Sequence, residues 1–323
     1  MSVSYRPASL DDAELASDLM TAAGDPAMIH DPVVNRFRWV NTRKGYEVGR
    51  FIAERAGRPI GFLAWLHGPW EKLPARHCEV EVWLDRAHLD VGVLREMWKW
   101  IGDAAVAQGS GLLLAFCGED EPEMLESLAS LGYQRERAER VWDLDLGEHG
   151  PRLLREAADA RHKMDGAGVR LLTVADWDDP EKARKLYRLN AETIQDVPHS
   201  LPIVTEAFED FERRTRAPDR RDDRWWIAVH GDEVVAMSFL KFPPVRGTVW
   251  TGFTCAAREY RGRGIARAVK LQSLAQAVEL GVPTVRTDND AENAPMLRIN
   301  EALGYVRRPG WVEHHKRVQT QRA

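Results

Sequence analysis

Apolar positions along residues 169–308 change their period several times, and each change marks an element. Val169–Val174 reads as a short strand. Over Pro180–Gln195, Ala183, Leu186, Tyr187, Leu189 and Ile194 keep roughly to one side of a helix, with Pro180 in its first turn. A proline-bearing loop, Asp196–Pro202, leads to a second helix at Thr205–Arg214. Trp225–Val229 and Glu233–Phe242 form a hairpin about His230-Gly231-Asp232, and Val249–Cys255 is the next strand. Helical spacing returns at Gly264–Leu280 through Ile265, Ala268, Leu271, Leu274, Ala275 and Val278, and Gly281 stops it. Thr284–Thr287 is a strand, Pro295–Leu303 a helix, and Tyr305–Arg308 opens a last strand. Hairpins mixed with crossovers predict an α/β fold with a mixed sheet flanked by helices.

The first half repeats parts of this pattern. Phe51-Ile52-Ala53-Glu54, a turn and Pro59-Ile60-Gly61-Phe62-Leu63-Ala64 parallel Trp226-Ile227-Ala228-Val229, a turn and Val234-Val235-Ala236-Met237-Ser238-Phe239. Leu131-Gly132-Tyr133 returns as Leu303-Gly304-Tyr305. Two separated anchors at nearly one offset indicate a duplicated domain, and the period is too long for a solenoid. The expected division is a domain at 1–146, a charged, Gly-flanked linker at 147–167 with a short helix at Arg152–Arg161, and a domain at 168–323.

Composition narrows the class. The 323 residues are 44% hydrophobic and 29% charged, a globular balance that excludes global disorder. No apolar run approaches the roughly 18 residues of a membrane helix, and no signal peptide is evident, so no membrane partner is expected. Cys78, Cys117 and Cys255 lack metal-ligand spacing and read as reduced thiols in a cytoplasmic protein; no metal is expected. Residues 1–150 carry 16 Lys+Arg against 25 Asp+Glu, a net of −9, whereas the remainder is +4. That excess is too modest for a nucleic-acid footprint and suits a phosphorylated small ligand.

The sharpest chemical signal is Tyr260-Arg261-Gly262-Arg263-Gly264-Ile265-Ala266, between a strand and a helix. Glycines there permit a tight turn and bare N–H groups at a positive helix end, an anion cradle. It is neither a Walker loop nor the dinucleotide fingerprint. Arg261-Gly262-Arg263-Gly264-Ile265-Ala266 fits the Arg-x-x-Gly-x-Ala loop of the GCN5-related N-acetyltransferase (GNAT) family, and Asn293 through Leu303-Gly304-Tyr305 resembles that family's second motif. The resemblance covers 169–311, and 3–146 is similar to a second, weaker copy. Tandem arrangements of this kind include mycothiol synthase.

The resemblance implies two tandem GNAT-like domains and acetyl-CoA as cofactor. Backbone amides of Arg261, Gly262, Arg263, Gly264, Ile265 and Ala266 would bind the pyrophosphate. An amide near Thr254, Cys255 or Ala256 would polarise the thioester carbonyl, the logic of preorganised donors. Asn293 would bind the cofactor, cap a helix, or both. Asn300 stands where the family commonly has a tyrosine acid, so another group or water must serve the thiolate, or it leaves unaided. The implied acceptor side holds Glu192, Asp196, His199 and Glu206; Glu192 and His199 are the candidate bases for an amine that arrives protonated. Cys255 reads as a buried, inert thiol rather than an acetyl relay.

Where the first copy should have its loop, it has Asp85, Asp90 and one glycine, Gly92; Glu121-Pro122-Glu123-Met124 replaces the second motif. Like charge there should repel coenzyme A, so this copy is expected to be degenerate. Its Glu79, Glu81, Glu119 and Asp120 read as solvated surface or as a wall facing a cationic substrate. The implied activity is acetyl transfer to a primary amine of a small molecule by direct attack in a ternary complex. A protein or peptide acceptor, and a non-catalytic acyl-CoA-binding module, remain the alternatives. Trp225-Trp226 and the 196–202 loop are the segments expected to close an acceptor groove.

Overall fold

One order of elements occurs twice. The first half runs β1 (Ser4–Pro7), α1 (Ala13–Ala23), α2 (Pro32–Val40), β2 (Glu47–Arg55), β3 (Arg58–His67), β4 (His77–Leu84), α3 (Val91–Ala107), β5 (Leu112–Gly118), α4 (Pro122–Ser130) and β6 (Gln134–Asp145). A long helix, α5 (Leu146–Gly166), follows. The second half runs β7 (Val169–Thr173), α6 (Lys182–Ile194), α7 (Phe208–Thr215), β8 (Trp225–His230), β9 (Glu233–Lys241), β10 (Val249–Ala256), α8 (Ile265–Glu279), β11 (Thr284–Asp290), α9 (Ala294–Leu303) and β12 (Val306–Arg317). These are the elements of a computed structural model that describes residues 2–25 and 28–318.

The chain forms two compact units whose boundaries differ from those expected. The first comprises Met1–Glu139, Val245–Gly247 and Pro309–Ala323; the second comprises Arg140–Pro244 and Thr248–Arg308. In the first, the sheet order is β1-β2-β3-β4-β5, completed by 311–317 of β12, which pair antiparallel with β5 from Trp311↔Gly118 to Arg317↔Leu112. In the second, the order is β6-β11-β10-β9-β8-β7. Both sheets are mixed: β4–β5 and β10–β11 run parallel among antiparallel neighbours.

Residues 147–167 are not a linker. They lie almost wholly in α5, whose Leu146, Leu153, Ala157 and Met164 are buried. Leu153 and Ala157 share a core with Leu271 and Leu274 of α8 and with Leu303 and Tyr305. Gly150 lets the two helices approach, since a Cβ there would lie 3.0 Å from Val278. The apolar stripe recurs at intervals of seven and four, but dense charge between its members obscured it. On the opposite sheet face, Leu186 and Leu189 of α6 and Phe211 of α7 pack against Trp225, Ile227 and Phe239. Trp225 is therefore core, and Trp226 is held by Gln276 and by the Arg161 guanidinium 5.1 Å from its ring. Neither tryptophan closes an acceptor groove.

A covalent linker would tolerate truncation of its side chains, whereas a core helix would not. Leu153→Ala should cost about 2–5 kcal/mol of stability, the range for an emptied buried leucine. The adjacent, exposed Leu154→Ala should stay within about 0.5 kcal/mol of the parent. Urea unfolding of the two variants checks this.

Candidate active site

Two parallel strands separate early in the second unit. β10 and β11 pair only at Val249↔Val285 and Trp250↔Arg286. Beyond them, β10 continues alongside β9 alone, with a register shift between Thr251 and Phe253. Ala257 N–H donates to Val235 O, so alternation along the antiparallel pair points the Cys255 N–H at β9 as well. The Thr254 and Ala256 N–H groups face the open side, where β11 has diverged. Of the expected carbonyl donors, Thr254 and Ala256 are thus suitably directed and Cys255 is not. The Cys255 thiol is buried, and burial pushes it up to about 12, so it is no relay at neutral pH.

The glycine loop ends at the first turn of α8. Gly264 takes the N-cap position in the left-handed region, φ 79°, and supplies no side-chain cap. Its carbonyl accepts from Ala268 N–H at 3.0 Å, which leaves the N–H groups of Ile265, Ala266 and Arg267 without intrahelical partners. A Cβ on Gly262 or Gly264 would meet no other atom within 4 Å, so the loop surface is open. The arginines turn back onto the protein. Arg261 bonds Asp196 and the Ala256 carbonyl, while Arg263 bonds the Glu259 carbonyl and covers Tyr260. The cradle is therefore backbone amide and helix dipole, donors that fit a pyrophosphate.

Asn293 caps α9 through its own side chain, accepting from Met296 N–H at 3.4 Å. Asn300 is fully buried rather than facing a substrate. It accepts from Lys270 Nζ at 2.7 Å and donates to Asn289 Oδ1 at 2.5 Å. Tyr305 is likewise buried, which fits its reading as core. Lys270 was missed in the sequence because α8 is buried nearly all round and no single stripe defines its inner face. The 172-residue offset that matches Tyr133 with Tyr305 also sets Lys270 against Trp98, and that was the available signal.

The candidate bases are unequal. Glu192 accepts from Arg258 N–H at 2.9 Å, which holds the start of the loop. Hydrogen bonds from Arg258, and then from Arg261, hold the Asp196 carboxyl down to about 2, which makes it a weak base. Glu206 is paired with Arg214. His199 is exposed in the loop after α6. Among the described residues, no group of three His, Cys, Asp or Glu is placed to hold a metal. No helix among them is long and apolar enough to cross a membrane.

The equivalent helix of the first unit ends differently. Asp90 is extended at the N-cap of α3 and its carboxylate accepts from Val93 N–H at 2.9 Å. The protein's own anion occupies the position that Gly264 leaves open. Asp85 caps Ala87, Glu121 accepts from Gly118 N–H and Glu119 accepts from Gly310 N–H. Glu79 and Glu81 lie on the exposed face of β4, between buried Cys78, Val80 and Val82.

Residues 192–305 match the model of the Acetyltransferase (GNAT) family. The second unit thus carries a GNAT-family acyltransferase domain. The whole chain has the fold of tandem GNAT proteins. A tandem GNAT protein from the clavulanic acid biosynthesis pathway superposes with a TM-score of 0.76 at 20% identity, covering 98% of both chains. A GCN5-related N-acetyltransferase from Sphaerobacter thermophilus gives 0.68 at 17% identity, covering 98% of this chain and 95% of that one. No curated protein matches the sequence significantly.

The loop's tether to Asp196 has a pH signature. The Asp196 carboxyl lies below its ordinary range in the folded chain, so its contribution to stability is complete above about pH 4 and is lost as pH falls toward 2. Asp196→Asn should be less stable than the parent at pH 5–7, with the difference shrinking between pH 4 and 2. Thermal unfolding across that range reads it.

Proposed function

We propose that the second unit transfers the acetyl group of acetyl-CoA to a primary amine of a small molecule, by direct attack in a ternary complex. The observation that carries this reading is the uncapped helix end at Gly264, beside strands that have parted. The amides of Gly262, Gly264, Ile265 and Ala266 would hold the pyrophosphate. Pantetheine would lie between β10 and β11, with Asn293 at the far end, and Thr254 or Ala256 N–H would meet the thioester oxygen. Bound there, the cofactor supplies an acyl group activated as a thioester. The amine needs a proton acceptor, and Glu192 and His199 are the groups proposed for it, directly or through water. The first unit is proposed to be a degenerate copy that takes no acetyl-CoA, because Asp90 already fills its helix end. Three buried, unpaired cysteines support a cytoplasmic setting.

Calorimetry should find one equivalent of acetyl-CoA per chain, and Gly264→Asp should abolish binding while the circular dichroism spectrum is kept. Two equivalents, or unchanged affinity in Gly264→Asp, would overturn the placement. Thiol release from acetyl-CoA across a panel of amines and peptides then identifies the acceptor. On the best amine, the rate should rise with pH, and the acid limb should vanish in either Glu192→Gln or His199→Ala, which names the base.

A further inference from the structure

A lysine is sealed inside the second unit without a carboxylate bonded to it. Lys270 has no exposed surface, and its Nζ donates to Asn300 Oδ1 at 2.7 Å. Its ammonium also lies 4.9 Å from the centre of the Tyr305 ring. The charged groups that act on this region are Asp288 of β11 and, beyond it, Lys241 of β9. Burial pushes Lys270 down to about 7, and Asp288 opposes that only in part.

The first unit shows that the fold does not need this arrangement. α3 and α8 end at left-handed Gly109 and Gly281; α4 and α9 are followed by left-handed Gly132 and Gly304, all at one offset. Tyr133 N–H donates to Leu128 O as Tyr305 N–H donates to Asn300 O. In this register Lys270, Asn300 and Asn289 correspond to Trp98, Leu128 and Cys117, all buried in the first unit. A wholly apolar solution therefore exists at the same three positions. A buried ionisable side chain is seldom the more stable choice, so its presence in the unit with the open helix end points to use.

The hydrogen bonds have a fixed sense. Lys270 Nζ donates to Asn300 Oδ1, so Asn300 turns its oxygen to Lys270 and its amide nitrogen outward. That nitrogen donates to Asn289 Oδ1. The Asn289 amide nitrogen is then left pointing away with two donors, and Asn289 is half-buried, three residues beyond the last β10–β11 pair. Among the described residues it has no acceptor. Its edge of the parted strands is where the acetyl-CoA reading above, on which this inference rests, puts the thioester end of the cofactor.

We propose that Lys270, acting through Asn300 and Asn289, is a positioning residue that presents a fixed amide donor to the sulfur of coenzyme A. When the amine nitrogen bonds the acetyl carbon, the C–S bond breaks and sulfur keeps the electron pair. The amine's proton goes to the base or water, and the thiolate departs stabilised instead of protonated. The family's tyrosine acid is thereby unnecessary at Asn300.

The test needs no acceptor amine. Full-length protein in excess is mixed with coenzyme A, and thiolate absorbance is followed against pH. The protein's thiols are pushed up to about 12 and do not interfere below pH 10. Bound coenzyme A should ionise at least about one pKa unit below free coenzyme A, a tenfold preference for thiolate. Lys270→Met should restore the free value while acetyl-CoA and desulfo-CoA affinities stay within about twofold. Asn300→Leu, which installs the first unit's residue, and Asn289→Ala should do the same, and they serve if Lys270→Met does not fold. An unshifted thiol in the parent, or a shift that survives these variants, overturns the proposal while acetyl-CoA binding stands. A parent that binds neither acetyl-CoA nor desulfo-CoA overturns the cofactor reading itself.

Discussion

Parallel strands that stop pairing leave backbone N–H groups without partners, and such groups are costly unless something bonds them. In the second unit that constraint begins after Trp250 and Arg286. From there the Thr254 and Ala256 amides face an opening, and the strand pair leads toward the bare first turn of α8. Each donor is fixed by secondary structure before any ligand arrives. A slot with donors along one wall and at one end suits a long chain with carbonyls along its length and phosphates at its end. The site thus follows from where a ladder ends more than from any one side chain.

The duplicated unit isolates what the chemistry adds to the scaffold. The first unit pairs β4 with β5 over four residues, from His77↔Leu112 to Val80↔Ala115, before they part. It then answers its helix end with Asp90 and its interior with Trp98 and Leu128. In the second unit the N-cap is Gly264, and the positions of Trp98 and Leu128 hold Lys270 and Asn300. A glycine N-cap in place of a carboxylate N-cap leaves the first-turn amides of the helix uncapped, and lysine and asparagine in place of two apolar side chains introduce a buried polar pair. Neither change disturbs the flanking glycine turns, which share one offset in both halves.

Much of the fold was legible because its elements alternate between periods of two and 3.6 and are punctuated by glycine. The second half's ten elements fall within a few residues of the pattern, from β7 to the start of β12. Two features were not legible. The α5 stripe is sparse, its buried members four to seven residues apart among ten charged or histidine side chains, and so read as a charged connection. The unit boundary falls inside β6 and β12, and no composition change accompanies a strand whose residues serve two cores. At the site, the glycine loop was legible because backbone conformation dictates residue type there. Asn300 was legible as a departure but not as a role, since its meaning lies in Lys270, thirty residues away, and in the direction of two amides.

The side chains of the loop sharpen the same distinction. Arg261 carries the motif's first letter, yet its guanidinium belongs to Asp196 and to the Ala256 carbonyl. Arg258 joins the same carboxylate, and Glu192 holds the Arg258 amide. These contacts tie the loop to the end of α6, so the helix that bears Glu192 and the glycine loop hold each other in place. Such a tie restricts the acceptor to approaches compatible with a fixed distance between the two. It also removes Asp196 from proton chemistry, because a carboxyl held near 2 is too weak a base for an ammonium. Arginine in this loop therefore sets geometry, and what the loop leaves open is backbone amide at the start of α8.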